Sequence, residues 1–318
     1  MPGRRQTRRA LMLALLCAAA LAAASTTSVV AAGASTTCRV RNVTQGTRGG
    51  SFARMVKASH GGDRLRVRGS CTSRDVVIDH DLVVIGIDNA VLTGRHLDRV
   101  VQVGRRATVT IRHLRLSQGL ASSGGAAIFN RGRLTLVHVI VQRNFAGNFA
   151  GGIANAGDLV MRDSVVRRNR SWYAGGIANG GTVTLIRTRV TRNSGADQGD
   201  GGGIINGGTM TLVDSVVASN RTQMGPAGIK NDGTLHLVRS IVRDNRSDHL
   251  DLDDNGGGGI QNSGDLVLTD SHVTGNSIMF RGIGGGIFNF EGDGSVTLEG
   301  TSSVTGNTPD DCFGTPAC

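Results

Sequence analysis

The sequence predicts an all-β fold, a single-stranded right-handed parallel β-helix of roughly ten coils with a short N-terminal capping helix. Three observations carry that expectation. First, an Ile-x-Asn step recurs at Asn130, Asn155, Asn179, Asn206, Asn231 and Asn262, and a second asparagine follows each after 14 residues, at Asn144, Asn169, Asn193, Asn220, Asn245 and Asn276. A seventh copy, Asn289 to Asn307, stretches to 18. Second, apolar or small residues inside that interval come in twos at period two, as in Leu134/Leu136 then Val139/Val141, or Leu159/Met161 then Ser164/Val166. That is the period of a strand with one buried face, and helical periodicity is absent. Third, the remainder of the repeat is elastic, from 8 residues (Asn169 to Ile177) to 15 (Asn245 to Ile260).

Each element follows from these. A repeat of about 25 residues is too short for a strand plus a packed helix, and one copy cannot bury its apolar face, so copies must stack. Stacked in parallel, equivalent residues lie about 4.8 Å apart, and a one-residue slip would turn core side chains outward. The fixed interval is explained by that constraint. The asparagines should then form side-chain ladders at the corners, tolerating left-handed backbone there. A glycine two residues past the first asparagine (Gly132, Gly157, Gly181, Gly208, Gly233, Gly264) suits a turn with positive φ. Upstream, Leu65/Val67, Leu82/Val84, Val101/Val103 and Val109/Ile111 with Leu114/Leu116 read as degenerate copies. Open ends need covers. Ser51 as N-cap, with Phe52, Met55 and Val56 on one face, predicts a helix closing the first coil, and residues 310–318 should close the last.

The resulting boundaries are an export signal over 1–34, an N-terminal cap and first coil over 35–75, the β-helix over 76–307 and a C-terminal cap over 308–318. The signal reads from Arg4, Arg5, Arg8 and Arg9, an apolar run from Ala10 to Ala24, and Ala32-Gly33-Ala34. That run is too short for a membrane span, so the expectation is a secreted or cell-surface monomer, exported by the Sec or the twin-arginine route. Arginine makes up 33 of the 35 basic residues, and together with abundant alanine and glycine it hints at a bacterial source. Four cysteines remain after the signal, and an even number in an exported chain favours disulfides. Cys38–Cys71 and Cys312–Cys318 are the expected pairs, because each brackets one terminus. Charge is uneven: Ser35–Ala150 holds 18 Arg/Lys against 6 Asp/Glu, and Gly151–Cys318 holds 13 against 18.

The copies resemble the right-handed β-helix repeats of the pectin-lyase-like superfamily, particularly the GGI-type repeats of polymorphic outer membrane proteins. Gly151-Gly152-Ile153, Gly175-Gly176-Ile177, Gly202-Gly203-Ile204, Gly258-Gly259-Ile260 and Gly285-Gly286-Ile287 carry the likeness. Two departures stand against it. Valine (Val141, Val166, Val190, Val217, Val242, Val273) occupies the place of the usual phenylalanine three before the asparagine, and no membrane barrel follows. The resemblance implies the fold; lyases, hydrolases, adhesins and structural proteins share it.

Candidate sites lie outside the core. Six residues before the second asparagine runs an outward column, His138, Asp163, Arg187, Asp214, Arg239 and Asp270. Asp163 and Asp214 are the candidate catalytic carboxylates, whereas the alternation with arginine reads as a ladder of exposed ion pairs. Asp251-x-Asp253-x-Asn255-Gly256 matches the opening of a calcium loop, with Asp248 and Asp254 as spare ligands, although Asn262 stands where a closing glutamate belongs. The plain alternative is a solvated acidic loop. Phe145, Phe149, Trp172 and Tyr173 fall in consecutive loops, where rings could receive sugar faces or pack on each other. The basic N-terminal half could attract acidic polymers, and without interleaved aromatics nucleic acid is not expected. The function expected is a non-catalytic module binding glycan or cell-surface polymer and requiring no cofactor, with a polysaccharide lyase or hydrolase, or a purely structural protein, as alternatives.

Overall fold

The computed structural model describes residues 37–195, 201–248, 256–279, 282–290 and 294–315. The export signal expected over 1–34 and Cys318 of the second expected disulfide lie outside them. Within the coil that starts at Gly175, Ile177–Asn179 joins a ten-stranded sheet, Thr182–Ile186 and Arg189–Thr191 join a twenty-stranded sheet, and Ser194–Gly195 joins a seven-stranded sheet. The ten strands run parallel from Val76–Ile78 to Cys312–Phe313, so nine turns separate the first from the last. The fold is therefore a right-handed parallel β-helix, wound in the sense that right-twisted parallel strands enforce.

Register is kept through the repeats. Asn130 lies beside Asn155, and Asn179, Asn206, Asn231, Asn262 and Asn289 follow in line. The inward residues of each coil, such as Ile177, Val183, Leu185 and Val190, are buried in one continuous core that reaches from Val40 to Val304. Variable coil length is absorbed in the loops, because ladder neighbours are 24 residues apart at Asn155/Asn179 and 31 at Asn231/Asn262.

Both asparagine ladders form, and both are buried. In the first, each Nδ2 from Asn130 to Asn262 donates to Oδ1 of the next asparagine at 2.7–2.8 Å. In the second, running from Asn144 to Asn307, each Oδ1 from Asn169 onward accepts both the side-chain and the backbone N–H of the asparagine one coil earlier, as Asn220 does from Asn193 at 3.0 and 2.9 Å. The left-handed residue, however, is not the asparagine. It is the residue before the second one, Arg143, Arg168, Arg192, Ser219 and Asp244, with φ between 53° and 55°. A second left-handed corner falls on the outward column, with φ 52° at His138, 49° at Asp163 and 45° at Arg187. Left-handed backbone costs a non-glycine residue about 1–2 kcal/mol, and a buried polar residue follows the bend at Asp163 (Ser164), at Arg187 (Thr188) and at each corner before a second asparagine, where its hydrogen bonds hold the turn.

The glycines two past the first asparagine are likewise not there for positive φ. A Cβ on Gly208 would lie 2.2 Å from the Gly181 carbonyl oxygen, and one on Gly233 would lie 2.2 Å from that of Gly208. These positions are glycine because successive backbones approach too closely for a side chain.

At the N-terminal edge, β1 (Arg39–Asn42) pairs antiparallel with β2 (Arg48–Gly49) and with β3 (Asp63–Thr72), and β3 begins the parallel stack against β5 (Leu82–Thr93), with β4 (Val76–Ile78) between them in sequence. The six-residue helix α1 (Phe52–Lys57) is N-capped by Ser51, whose side chain accepts from the Arg54 N–H, and it buries Phe52, Met55 and Val56. A disulfide, Cys38–Cys71, ties the start of β1 to the end of β3. At the opposite end of β3 Asp63 is buried and accepts from Asn42 Nδ2 at 2.7 Å and the His60 N–H at 2.8 Å; the His60 amide, then Asn42, hold its carboxyl below the usual range.

Candidate functional site

The outward column is a run of left-handed corners, which aim consecutive side chains to the same side of the rod. Arg187 donates to both oxygens of Asp163, at 2.7 and 3.0 Å, and Arg239 does the same to Asp214, at 2.8 and 3.3 Å. The hydrogen bond from arginine is the main reason that each of these carboxyls lies below its ordinary pKa. Asp270 is lowered chiefly by the Thr301 backbone N–H and then by the Thr301 hydroxyl. A carboxylate held ionised by a bidentate guanidinium is poorly placed to act as a general acid, and each of its oxygens already accepts from arginine. Upstream the column continues as His138 stacked on His113, with ring centroids 5.0 Å apart.

The aromatic residues divide. Phe149 and Tyr173 stack across adjacent coils, centroids 4.9 Å apart and planes 23° from parallel. Phe149 remains 48% exposed and Trp172, beside Tyr173, 54%. Phe145 is apart from this group: its register partners are Leu120 and Arg170. So the loops stack two of the four expected rings, with Trp172 next to Tyr173 in the chain.

Asp251, Asp253, Asp254 and Asn255 of the expected calcium loop lie outside the described residues. Asp248, expected as a spare ligand, is taken by two cations: Arg221 Nε donates to it at 2.6 Å and Arg246 Nε at 3.0 Å. Each oxygen of that carboxylate therefore already accepts from a guanidinium. No group of His, Cys, Asp and Glu able to hold a metal forms among the described residues, and no helix among them is long and apolar enough to cross a membrane.

Several contacts escaped the sequence reading. Hydroxyls form a third ladder, in which Thr188, Ser215, Ser240 and Ser271 each donate a backbone N–H to the Oγ one coil later at 2.9–3.1 Å. Its signal was present: Ser or Thr stands five residues before the second asparagine in successive copies. Phe129 lies between the Arg99 and Arg131 guanidiniums, 5.3 and 5.4 Å from its ring centre. At the far end, Phe288 stacks on Phe313 and meets Phe290 edge-on. Asp310 and Asp311 also do structural service there. Asp310 accepts the Gly285 N–H at 2.8 Å, and Asp311 accepts both N–H groups that Asn307 would otherwise offer to a further coil, at 2.8 and 3.0 Å.

No protein-family model and no curated protein matches the sequence. Among solved structures, the chain is similar to the crystal structure of pectate lyase Pel9A, with 13% identity, a TM-score of 0.49, and coverage of 84% of this chain and 76% of that one. Identity this low transfers no residue roles.

Proposed function

We propose that the chain is a non-catalytic β-helix module, secreted or displayed at the cell surface, that binds glycan or another extracellular polymer through loops on one side of the rod. The observation that supports this reading best is the ring group at Phe149, Trp172 and Tyr173. Two of these rings stack in adjacent coils, and the exposed faces of Phe149 and Trp172 are costly to leave in water unless they serve a contact. Phe145 would border the contact rather than form it. The engagement of Asp163 and Asp214 by arginine supports the non-catalytic half of the reading. Calcium, if the loop with Asp251, Asp253 and Asn255 takes it, would stiffen a neighbouring loop without Asp248.

The test is a polysaccharide panel, with and without calcium, scored for retention and for new reducing ends or unsaturated products. Retention without product, lost in Trp172→Ala and in Tyr173→Ala, is the expected result. Product formation that disappears in Asp163→Asn or Asp214→Asn would replace this reading with a lyase or hydrolase. Retention of no polymer would leave a structural protein.

A further inference from the structure

The N-terminal edge carries a charge arrangement that neither the winding nor the core requires. Arg39 stands opposite Arg68 and Arg41 opposite Arg66 across the β1/β3 pairing, and β2 sets Arg48 opposite Arg41. Like charges directly across a sheet destabilise it. Yet these five guanidiniums share one face and line a concavity of about 650 Å³. All five are exposed. Among the described residues an ion pair reaches the group at one point, Arg68 with Asp88 at 3.3 Å, where both side chains are open to water.

The surroundings keep this face open. Gly49 and Gly50 contribute no side chain to it, and a Cβ on Gly49 would meet the Met55 sulfur at 2.8 Å, so a larger residue there would have to displace that side chain of α1. Ile87 supplies an aliphatic floor. The Cys38–Cys71 disulfide joins β1 to β3 next to Arg39, a covalent tie at the place where paired arginines push the strands apart. Repulsion retained and clamped in this way is relieved by a bound anion.

We propose that this arginine face is a binding site for an acidic polysaccharide, a glycan whose successive sugars carry carboxylate or sulfate groups. Guanidinium forks bind either anion in bidentate fashion. Along a strand the same-face arginines recur about every 7 Å, and across strands about every 5 Å, the scale of one sugar in an extended chain. The aliphatic floor suits the C–H face of a sugar ring. No aromatic side chain lines the concavity, so the stacking platform that single-stranded nucleic acid uses is missing. The inference rests on the glycan-binding reading for its ligand class, but not on the aromatic patch, which lies on later coils.

The experiment measures binding of the full, oxidised chain to alginate (carboxylate), dextran sulfate (sulfate), neutral dextran and oligo(dT), as a function of salt. Arg41→Gln with Arg66→Gln should weaken binding to at least one anionic glycan tenfold or more and flatten its salt dependence. Its melting temperature should hold or rise, because two opposed like charges are gone. Arg41→Lys with Arg66→Lys, which keeps the charge but not the fork, should fall between. Trp172→Ala should leave anionic binding intact, which separates failure of this site from failure of the ring patch. Equal loss in Arg189→Gln with Arg192→Gln, a distant pair, would reduce the effect to net charge and overturn the site. Unchanged binding in the Arg41/Arg66 variants, no binding to either anionic glycan at low salt, or tighter binding of oligo(dT) would overturn it as well.

Discussion

Replacing Asn193 tests whether the buried ladder holds the coils together. Its side chain makes four hydrogen bonds: Nδ2 donates to the Val166 carbonyl and to Asn220 Oδ1, each at 3.0 Å, while Oδ1 accepts the Asn169 backbone and side-chain N–H groups, each at 3.0 Å. In Asn193→Ala the neighbours are not equally stranded. Asn220 Oδ1 still accepts the Asn193 N–H, and Asn169 Nδ2 still donates to the Val141 carbonyl. The Asn169 backbone N–H loses its acceptor in a buried site, which costs about 1–3 kcal/mol, and each remaining lost bond adds roughly 1 kcal/mol at most. A total of about 3–5 kcal/mol is expected in urea unfolding, with hydrogen exchange at Asn169 accelerated most. Asn193→Asp sharpens the test. It keeps the acceptor oxygen but points a second oxygen at the two acceptors that Nδ2 now serves. Burial and those acceptors raise the folded carboxyl pKa, so the fold tolerates the protonated form. The deficit relative to the parent should therefore be largest at neutral pH and shrink as pH falls through the raised folded value. The alanine deficit should not change with pH. An Asn193→Ala cost below about 1 kcal/mol, or an aspartate variant whose deficit ignores pH, would refute the dry-ladder account.

Gly208→Ala should destabilise by about 3 kcal/mol, since backbone must move to admit the Cβ, whereas Gly61→Ala, with nothing within 4 Å of its Cβ, should be neutral or slightly stabilising in the same denaturation assay. Arg187→Ala should return the Asp163 titration, followed by NMR, towards the ordinary carboxylate value. Because that folded pKa is depressed, the pair's small stabilisation is present above the unfolded pKa and is lost as pH falls through the folded value, so parent and variant should converge in acid. Removing the disulfide by Cys38→Ser with Cys71→Ser opens a loop of 33 residues and should cost about 3.5–4 kcal/mol, read by urea unfolding against the oxidised parent.

The winding could be read from the chain because it depends on periodic residues: a fixed interval between asparagines is what parallel register demands, and period-two pairs such as Leu134/Leu136 declare the inner face. The corners could not be read so well. Which residue turns left-handed depends on where a strand ends relative to its inward polar anchor, and Arg192, not Asn193, takes the bend. The role of the glycines two past the first asparagine is hidden for a related reason, because close approach of two coils is a long-range fact that a single repeat does not reveal. The ion-pair column was legible from alternation alone, since stacking makes next-coil neighbours predictable. The arginine face was visible only as excess charge; its opposition across β1, β2 and β3 depends on an antiparallel edge that the parallel repeats gave no reason to expect.

A solenoid whose turns are interchangeable has no intrinsic reason to stop, and a molecule with an unsatisfied final rung invites another copy to continue it. Asp311 removes the invitation. A carboxylate can receive the last amide protons of the Asn307 rung, and when ionised it has none to pass on. The hand-to-hand relay therefore ends on a side chain with no amide proton to offer a further copy.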